Sequence, residues 1–227
     1  MAIDNKKSFA VLIDPDKVPS DTFLEKLNRA CDFVFVGGSH VSEGNMETCI
    51  KKLKQFIDLP IVIFPGSPNQ INSGADAIFL LTLISGRNSD LLIGRHVESA
   101  HLLKQSGLEI LPTGYILIDG GKITTAEYVS NTKPIPQDKS DLAVSTALAG
   151  QQLGLQIIYL DCGSGAQRHA DIEIVAKIKK EVHLPLIVGG GVTSKKEIKQ
   201  LHSAGADMVV IGNFFEKHPE AIDDFIH

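Results

Sequence analysis

Apolar residues gather into eight short runs along the chain: FAVLID from Phe9, FVFVGG from Phe33, LPIVIFPG from Leu59, AIFLLTLIS from Ala77, EILPTGYILID from Glu109, IIYLD from Ile157, LPLIVGGG from Leu184 and MVVIGN from Met208. Most are continuous rather than alternating, which suits parallel strands buried on both faces. Segments of helical period lie between them. SDTFLEKLNRA opens on capping residues and sets Phe23, Leu24 and Leu27 on one face. DIEIVAKIKKEV sets Ile172, Val175, Ile178 and Val182 along a stripe. SKKEIKQLHSAG carries a capping box, Ser194 with Glu197, and closes on Gly205. DLLIGRHVESAHLLKQSG and DLAVSTALAGQQLG are further helices, whereas the third gap, SPNQINSGAD, is too short and polar to hold a full one. SNTKPIPQDKSD reads as a loop between the fifth run and its helix.

Eight strands alternating with mostly helical segments predict a (β/α)8 TIM barrel, a single domain over residues 1–227, in preference to a doubly wound open sheet. A faint internal echo agrees. LPIVIFPG and LPLIVGGG are each followed, after a gap, by Gly-Ala-Asp just before the next strand.

Composition narrows the function classes. The chain has 227 residues, 43% hydrophobic and 22% charged, with a formal net charge of -5 and no long basic run. A generic nucleic-acid surface is therefore not expected, since phosphate backbones are held mainly by Lys and Arg. Cys31, Cys49 and Cys162 form no CxxC pair, and their odd number points to free thiols in a reducing cytoplasm. The first residues lack the apolar stretch of a signal peptide, and no run is long enough to span a membrane. Contact with a membrane face stays open.

In a barrel the reactive face lies where the strands end. The last three runs all end in glycine: YLDCGSGA, VGGGVTS and VIGNFF. Glycines there let bare N–H groups approach an anion closely, and the loops after strands seven and eight are a frequent phosphate site. The plainer alternative is tight turns. On the other side of the mouth, Asp14 in LIDPDK and Ser39 in VGGSH pair a carboxylate with a hydroxyl, a donor set suited to Mg²⁺, or else turn and cap formers. Asp161 at the sixth strand end is placed to act as a general base, with Tyr159 orienting it or the substrate. Cys162 reads as a packing residue. The eight histidines show no HxH or HExxH spacing, so zinc is not expected; Arg95 and His96 read first as a solvated helix face and second as residues at the mouth or an interface, and Lys133 and Lys139 as loop solvation in preference to a cover over an anionic leaving group.

Taken in order, LIDPDK, VGGS, PTGYILIDGG, SNTKPIPQDK, YLDCGSGA, VGGGV and IGNFFE resemble the geranylgeranylglyceryl phosphate synthase family of prenyltransferases, over nearly the whole chain. The resemblance is closest to the longer subgroup of some archaea and Bacteroidetes-like bacteria. It implies transfer of a long prenyl group, geranylgeranyl, from its diphosphate to the 3-hydroxyl of sn-glycerol 1-phosphate. It implies a barrel whose third helix is replaced by a strand-like or irregular segment, Mg²⁺ as cofactor, and homo-oligomers, dimers or hexamers. Carried over by position, Asp14 and Ser39 bind Mg²⁺. Tyr159, Leu160, Asp161, Cys162, Gly163, Ser164 and Gly165, with Gly190, Gly191, Gly212 and Asn213, surround glycerol 1-phosphate. Asp161 and Tyr159 are the catalytic pair. Asp161 stands where many relatives have Glu, and Leu12 where some carry Lys. The prenyl tail is expected along Leu91–Leu103 and Leu142–Leu153, with Ala149 as a small groove residue. Two other readings compete: another phosphate-binding barrel enzyme, such as a sugar-phosphate isomerase or aldolase, or a non-catalytic phospholigand-binding module. An aldolase needs a Schiff-base lysine at a strand end, and only Lys17 is near one.

Overall fold

Eight parallel strands pair in sequence order and close: β1 Ser8–Ile13, β2 Phe33–Val36, β3 Ile61–Ile63, β4 Ala77–Leu83, β5 Glu109–Leu117, β6 Ile157–Asp161, β7 Leu186–Gly189 and β8 Met208–Ile211, with β8 returning to β1 through Val11 opposite Ile211. The computed structural model describes residues 7–226. The ends of the expected 1–227 range, with His227, lie outside them. The barrel, not the open sheet, is the arrangement that the continuous runs foreshadow. One set of strand side chains, including Phe35, Phe79, Tyr115, Tyr159 and Met208, fills the barrel interior. The other set, including Val34, Ile63, Ile116 and Val209, packs under the helices. Apart from the exposed start of β5 at Glu109 and Ile110 and half-buried positions such as Leu80–Thr82 of β4, the strands are buried on both faces, so little polar alternation survives in their sequences.

The helices are α1 Asp21–Ala30, α2 Met46–Phe56, α3 Arg95–Ser106, α4 Thr125–Ser130, α5 Ser140–Gln152, α6 Ile172–Glu181, α7 Lys195–Ala204 and α8 Asn213–Lys217. Ser20 caps α1, and α7 shows the full capping box of Ser194 and Glu197 with Gly205 in the left-handed conformation at its end. In α6 the buried stripe is Ile174, Val175 and Ile178; Ile172 is only half-buried, because the helix begins there. Three helices, α2, α4 and α8, stand where the sequence reading named none; α2 is capped by Asn45, whose Oδ1 accepts from Thr48 N at 2.9 Å. Between β3 and β4 the chain makes a three-residue 3-10 turn, Pro68–Gln70. A π-turn, Asp90–Gly94, leads into α3. No helix among the described residues is long and apolar enough to cross a membrane.

The Gly-Ala-Asp echo has a physical cause. Asp76 Oδ2 accepts from Ile61 N at 2.8 Å, and Asp207 Oδ2 from Leu186 N at 2.9 Å. Each aspartate, placed just before one strand, satisfies the first free amide of the preceding strand. Asp32 does the same for Phe9 N at 2.9 Å. These ties fix the strand register at one end of the barrel and leave the other end for chemistry.

Candidate active site

Two cavities adjoin at the C-terminal ends of the strands. A glycine-lined cavity of about 480 Å³ lies over β1, β6, β7 and β8. A lateral groove of about 300 Å³ runs out between β4 and α3, lined by Phe64, Leu81, Leu91, Ser99, Leu103 and Val129 among others. Ser39, His40 and Phe64 line both.

The glycine-lined cavity brings together most of the residues singled out in the sequence. Tyr159, Asp161, Gly163, Ser164, Gly165, Gly190, Gly191, Gly212, Asn213, Asp14 and Ser39 all line it. Leu160 and Cys162 do not. Alternation along β6 turns both outward into the layer under the helices, where burial pushes the Cys162 thiol up. The N–H groups of Ser164, Gly165, Gly190, Gly191, Gly212 and Asn213 donate to no protein acceptor among the described residues. Gly163 is different: its N–H is spent on Asp161 Oδ1 at 2.7 Å. The loops converge tightly, so that a Cβ built on Gly165 would lie 3.2 Å from both Asn213 Oδ1 and Lys122 Nζ. Lys122 is a cation that no motif in the sequence singles out, because only the fold brings it beside Gly165.

Asp161 is buried beneath this cradle. Burial raises its carboxyl above the usual aspartate range, opposed by hydrogen bonds from Tyr115 and from Gly163 N–H. Its phenol partner is Tyr115 of β5, which donates to Oδ2, so of the two roles expected for Tyr159, orienting the carboxylate or the substrate hydroxyl, the first falls to Tyr115. Tyr159 points inward below it, and a Cβ on Gly189 would lie 2.5 Å from its hydroxyl. Tyr115 was hidden among the apolar residues of its run. The parity along β5 that faces it inward, and the register that sets it beside Tyr159, exist only once the barrel is closed.

Across the mouth, Asp14 caps the 3-10 turn Pro15–Lys17 by accepting from Asp16 N at 3.0 Å. Its other oxygen lies 4.0 Å from Lys17 Nζ, but Lys17 is held at 2.8 Å by Glu216. Burial and the negative charge of Glu216 raise the Asp14 carboxyl. Cap former and ligand are thus compatible, since one oxygen caps while the other has, among the described residues, only the distant Lys17 ammonium as its partner. Asp16 does not line up as a ligand; it accepts from the amides of Ser42 and Glu43 at 2.8 and 3.0 Å, and from Gly44. Buried Gln70, from the 3-10 turn after β3, donates to Gly38 O at 3.1 Å and accepts from Gly66 N at 3.0 Å. Asp16 and Gln70 together brace the loop that presents Ser39 beside Asp14. A carboxylate and a hydroxyl at the edge of a cavity fit Mg²⁺, which takes few protein oxygens and fills its shell with water and phosphate.

The groove takes one of the two helical segments proposed for an apolar tail. Leu91 and Leu103 line it; no residue of α5 does, and Ala149 is exposed. Helix α5 packs on the far side of β5, against α6. His96 is not on a solvated face. It lines the groove, its Nε2 is 3.0 Å from Thr82 Oγ1, and burial lowers its basicity. Lys133 and Lys139 are exposed and line neither cavity. The loop that carries them is held by Gln137, whose Nε2 donates to Asp119 O at 2.8 Å and His169 O at 3.1 Å.

Comparison with known proteins agrees with this geometry. A model of the PcrB family matches residues 1–227. A geranylgeranylglyceryl phosphate synthase of Spirosoma linguale is 50% identical over 224 residues, covering 97% of this chain and 90% of that protein. One from Pyrococcus furiosus is 40% identical over 220 residues, covering 94% and 86%. The crystal structure of (S)-3-O-geranylgeranylglyceryl phosphate synthase from Thermoplasma acidophilum in complex with its substrate sn-glycerol-1-phosphate matches with a TM-score of 0.87 at 34% identity, covering 95% of this chain and 88% of that one.

Proposed function

The chain belongs to the PcrB family, and we propose that its paired cavities join a prenyl group to glycerol 1-phosphate at their shared wall. It is a prenyltransferase of the geranylgeranylglyceryl phosphate synthase kind, acting on glycerol phosphate. The finer reading is that the donor is geranylgeranyl diphosphate, the acceptor atom is the 3-hydroxyl of sn-glycerol 1-phosphate, and the product is an ether lipid phosphate. The observation that carries it is the meeting of a ring of unspent amides, a buried carboxylate and an apolar groove around Ser39, His40 and Phe64.

The six free N–H groups hold the acceptor phosphate, and the glycines leave room for it. Holding the acceptor still turns a two-molecule encounter into a local one. Asp161 takes the proton of the acceptor hydroxyl. As the new carbon–oxygen bond forms at C1, the bond from C1 to diphosphate breaks, and diphosphate leaves with the electron pair. Rings of Phe64, Phe79, Tyr115 and Tyr159, with neighbouring centroids 5.1 to 6.2 Å apart, wall this junction and exclude water. Asp14 and Ser39 would hold Mg²⁺ here, which supplies positive charge to the departing diphosphate.

The direct test is incubation of the protein with sn-glycerol 1-phosphate, labelled geranylgeranyl diphosphate and Mg²⁺. An acid-stable ether lipid phosphate is the expected product. Binding of both substrates without product would point instead to a phospholigand-binding module. Replacing Asp14 with Asn is expected to raise the Mg²⁺ needed for half-maximal rate roughly tenfold, about 1.4 kcal/mol of ligand binding; an unaltered metal titration would remove Asp14 from the metal site.

The groove makes its own prediction. Ser99 is buried on its wall, and its hydroxyl donates only within its own helix, to Arg95 O at 2.7 Å and His96 O at 3.4 Å. Ser99→Phe fills the groove without leaving a side-chain acceptor unpaired. The preference for geranylgeranyl over farnesyl diphosphate should fall about tenfold or more. Ala149→Trp, on exposed α5, should leave the chain-length profile unchanged. Competition assays with the two diphosphates measure both.

A further inference from the structure

We propose that Tyr115 is a positioning residue for Asp161: from the groove side of the junction its phenol holds the buried carboxylate ionised and aimed at the acceptor hydroxyl. The proposal rests on the reading of Asp161 as the base. Three observations carry it. First, Tyr115 lines the lateral groove and Asp161 lines the glycine-lined cavity, so the bond between them crosses the wall at which the two substrates must meet. Second, the two carboxylate oxygens are divided between two donors, Gly163 N–H on Oδ1 and the Tyr115 hydroxyl on Oδ2. Each oxygen keeps lone-pair capacity for a substrate proton, and rotation of the carboxylate is blocked. Third, among the described residues no cation is found among the groups that act on the Asp161 charge. Burial works against ionisation of Asp161, and the two groups opposing burial are Tyr115 and the Gly163 amide.

The titratable groups that face this pair are few. Tyr115 looks onto Asp161, Tyr159 and Cys162. Burial and the Asp161 charge hold both phenols well above their ordinary value, so each remains a neutral O–H across the working range. Tyr115 is therefore a lasting donor, and the donation favours the ionised carboxylate. Tyr159 is as deeply buried and next to the same carboxylate, yet makes no hydrogen bond to it among the described residues. The pair forms a natural internal comparison.

The sign follows. Without the phenol, Asp161 binds its proton more tightly, and the base is lost at a higher pH. In Tyr115→Phe the acidic limb of the pH profile for kcat/KM should move to higher pH. At a pH on the wild-type limb, activity should fall about tenfold, and raising the pH should recover most of it. Infrared spectra should show the carbonyl stretch of a protonated carboxylic acid at a pH where wild type lacks it, and adding Asp161→Asn should abolish that band. Melting curves check that Tyr115→Phe is folded. Tyr159→Phe should leave the limb where it is. Loss of activity spread evenly over pH with no new band, or a limb that moves equally in Tyr159→Phe, would make Tyr115 a packing residue and overturn the proposal. Full turnover in Asp161→Asn alone would overturn the base reading and this proposal together. An inactive Asp161→Asn with an unmoved limb in Tyr115→Phe would overturn this proposal and leave the base reading standing.

Discussion

Asp161→Asn is expected to lower single-turnover ether formation on the order of a thousandfold, within the usual range for a lost general base, while glycerol 1-phosphate still binds within a few-fold of wild type. The two effects separate because different atoms carry them. In the proposed site the acceptor phosphate would be held by main-chain amides of Ser164, Gly165, Gly190, Gly191, Gly212 and Asn213, none of which donates to the Asp161 carboxylate. Asparagine has the same shape and keeps an oxygen for the Gly163 N–H, so the loop that begins at Gly163 stays in place. What it lacks is a site basic enough to take a proton. Burial raises the Asp161 carboxyl in the native protein, so wild-type activity should climb with pH through a limb above the ordinary aspartate value, where the base becomes ionised. In the variant the remaining activity should not follow that limb. Calorimetric titration with glycerol 1-phosphate and quenched single-turnover rates measure the two quantities; full turnover in the variant would place the base elsewhere.

The barrel was legible because most strand residues are buried whichever face they point to, which writes nearly continuous apolar runs into the sequence. The glycine cluster at three successive strand ends was legible as well, and it does line one cavity. Its close packing was not legible: a Cβ on Gly163, Gly190 or Gly191 would come within 3 Å of neighbouring atoms. Other features were hidden by the same physics. The resemblance placed all of residues 159–165 around the acceptor, but a strand turns alternate side chains away, and Leu160 and Cys162 face the helices, Cys162 in the packing role its type suggests. Tyr115 reads as one more core aromatic until β5 and β6 are set side by side with Tyr115 opposite Tyr159. Gln70 and Asp16 brace the Ser39 loop through contacts 32 and 26 to 28 residues apart, which leave no local pattern. Of the two segments expected along an apolar groove, residues 91–103 and 142–153, only the first lines one. Both carry several leucines, and the chain between β3 and β4, which forms no α-helix, leaves space beside α3.

Gly190→Ala is expected to weaken glycerol 1-phosphate binding roughly a hundredfold, through the loss of about two charge-assisted hydrogen bonds at about 1.5 kcal/mol each. Two separate strains arise at this position. Its φ is +80°, which an L side chain adopts at a cost of about 1 kcal/mol or more. The new methyl carbon would also lie 2.7 Å from Gly163 N and 2.9 Å from both Asp161 Oδ1 and Cys162 N. Those atoms are backbone and a hydrogen-bonded carboxylate, so none can swing aside; the β6 loop and the β7 loop must part. The amides of Gly190, Gly191, Ser164 and Gly165 then cease to point at one phosphate. Gly107 supplies the control. It has φ +73° at the end of α3, with nothing within 4 Å of a built Cβ and no place in either cavity. Gly107→Ala carries the backbone strain without the collision, so it should lower the melting temperature and leave acceptor affinity intact. Gly190→Ala should lower both, with KM for the prenyl diphosphate nearly unchanged because the groove lies on the other side of the junction. If Gly190→Ala bound the acceptor as wild type does, the phosphate would not sit among these amides, and the orientation assigned to the acceptor above Asp161 would fall with it.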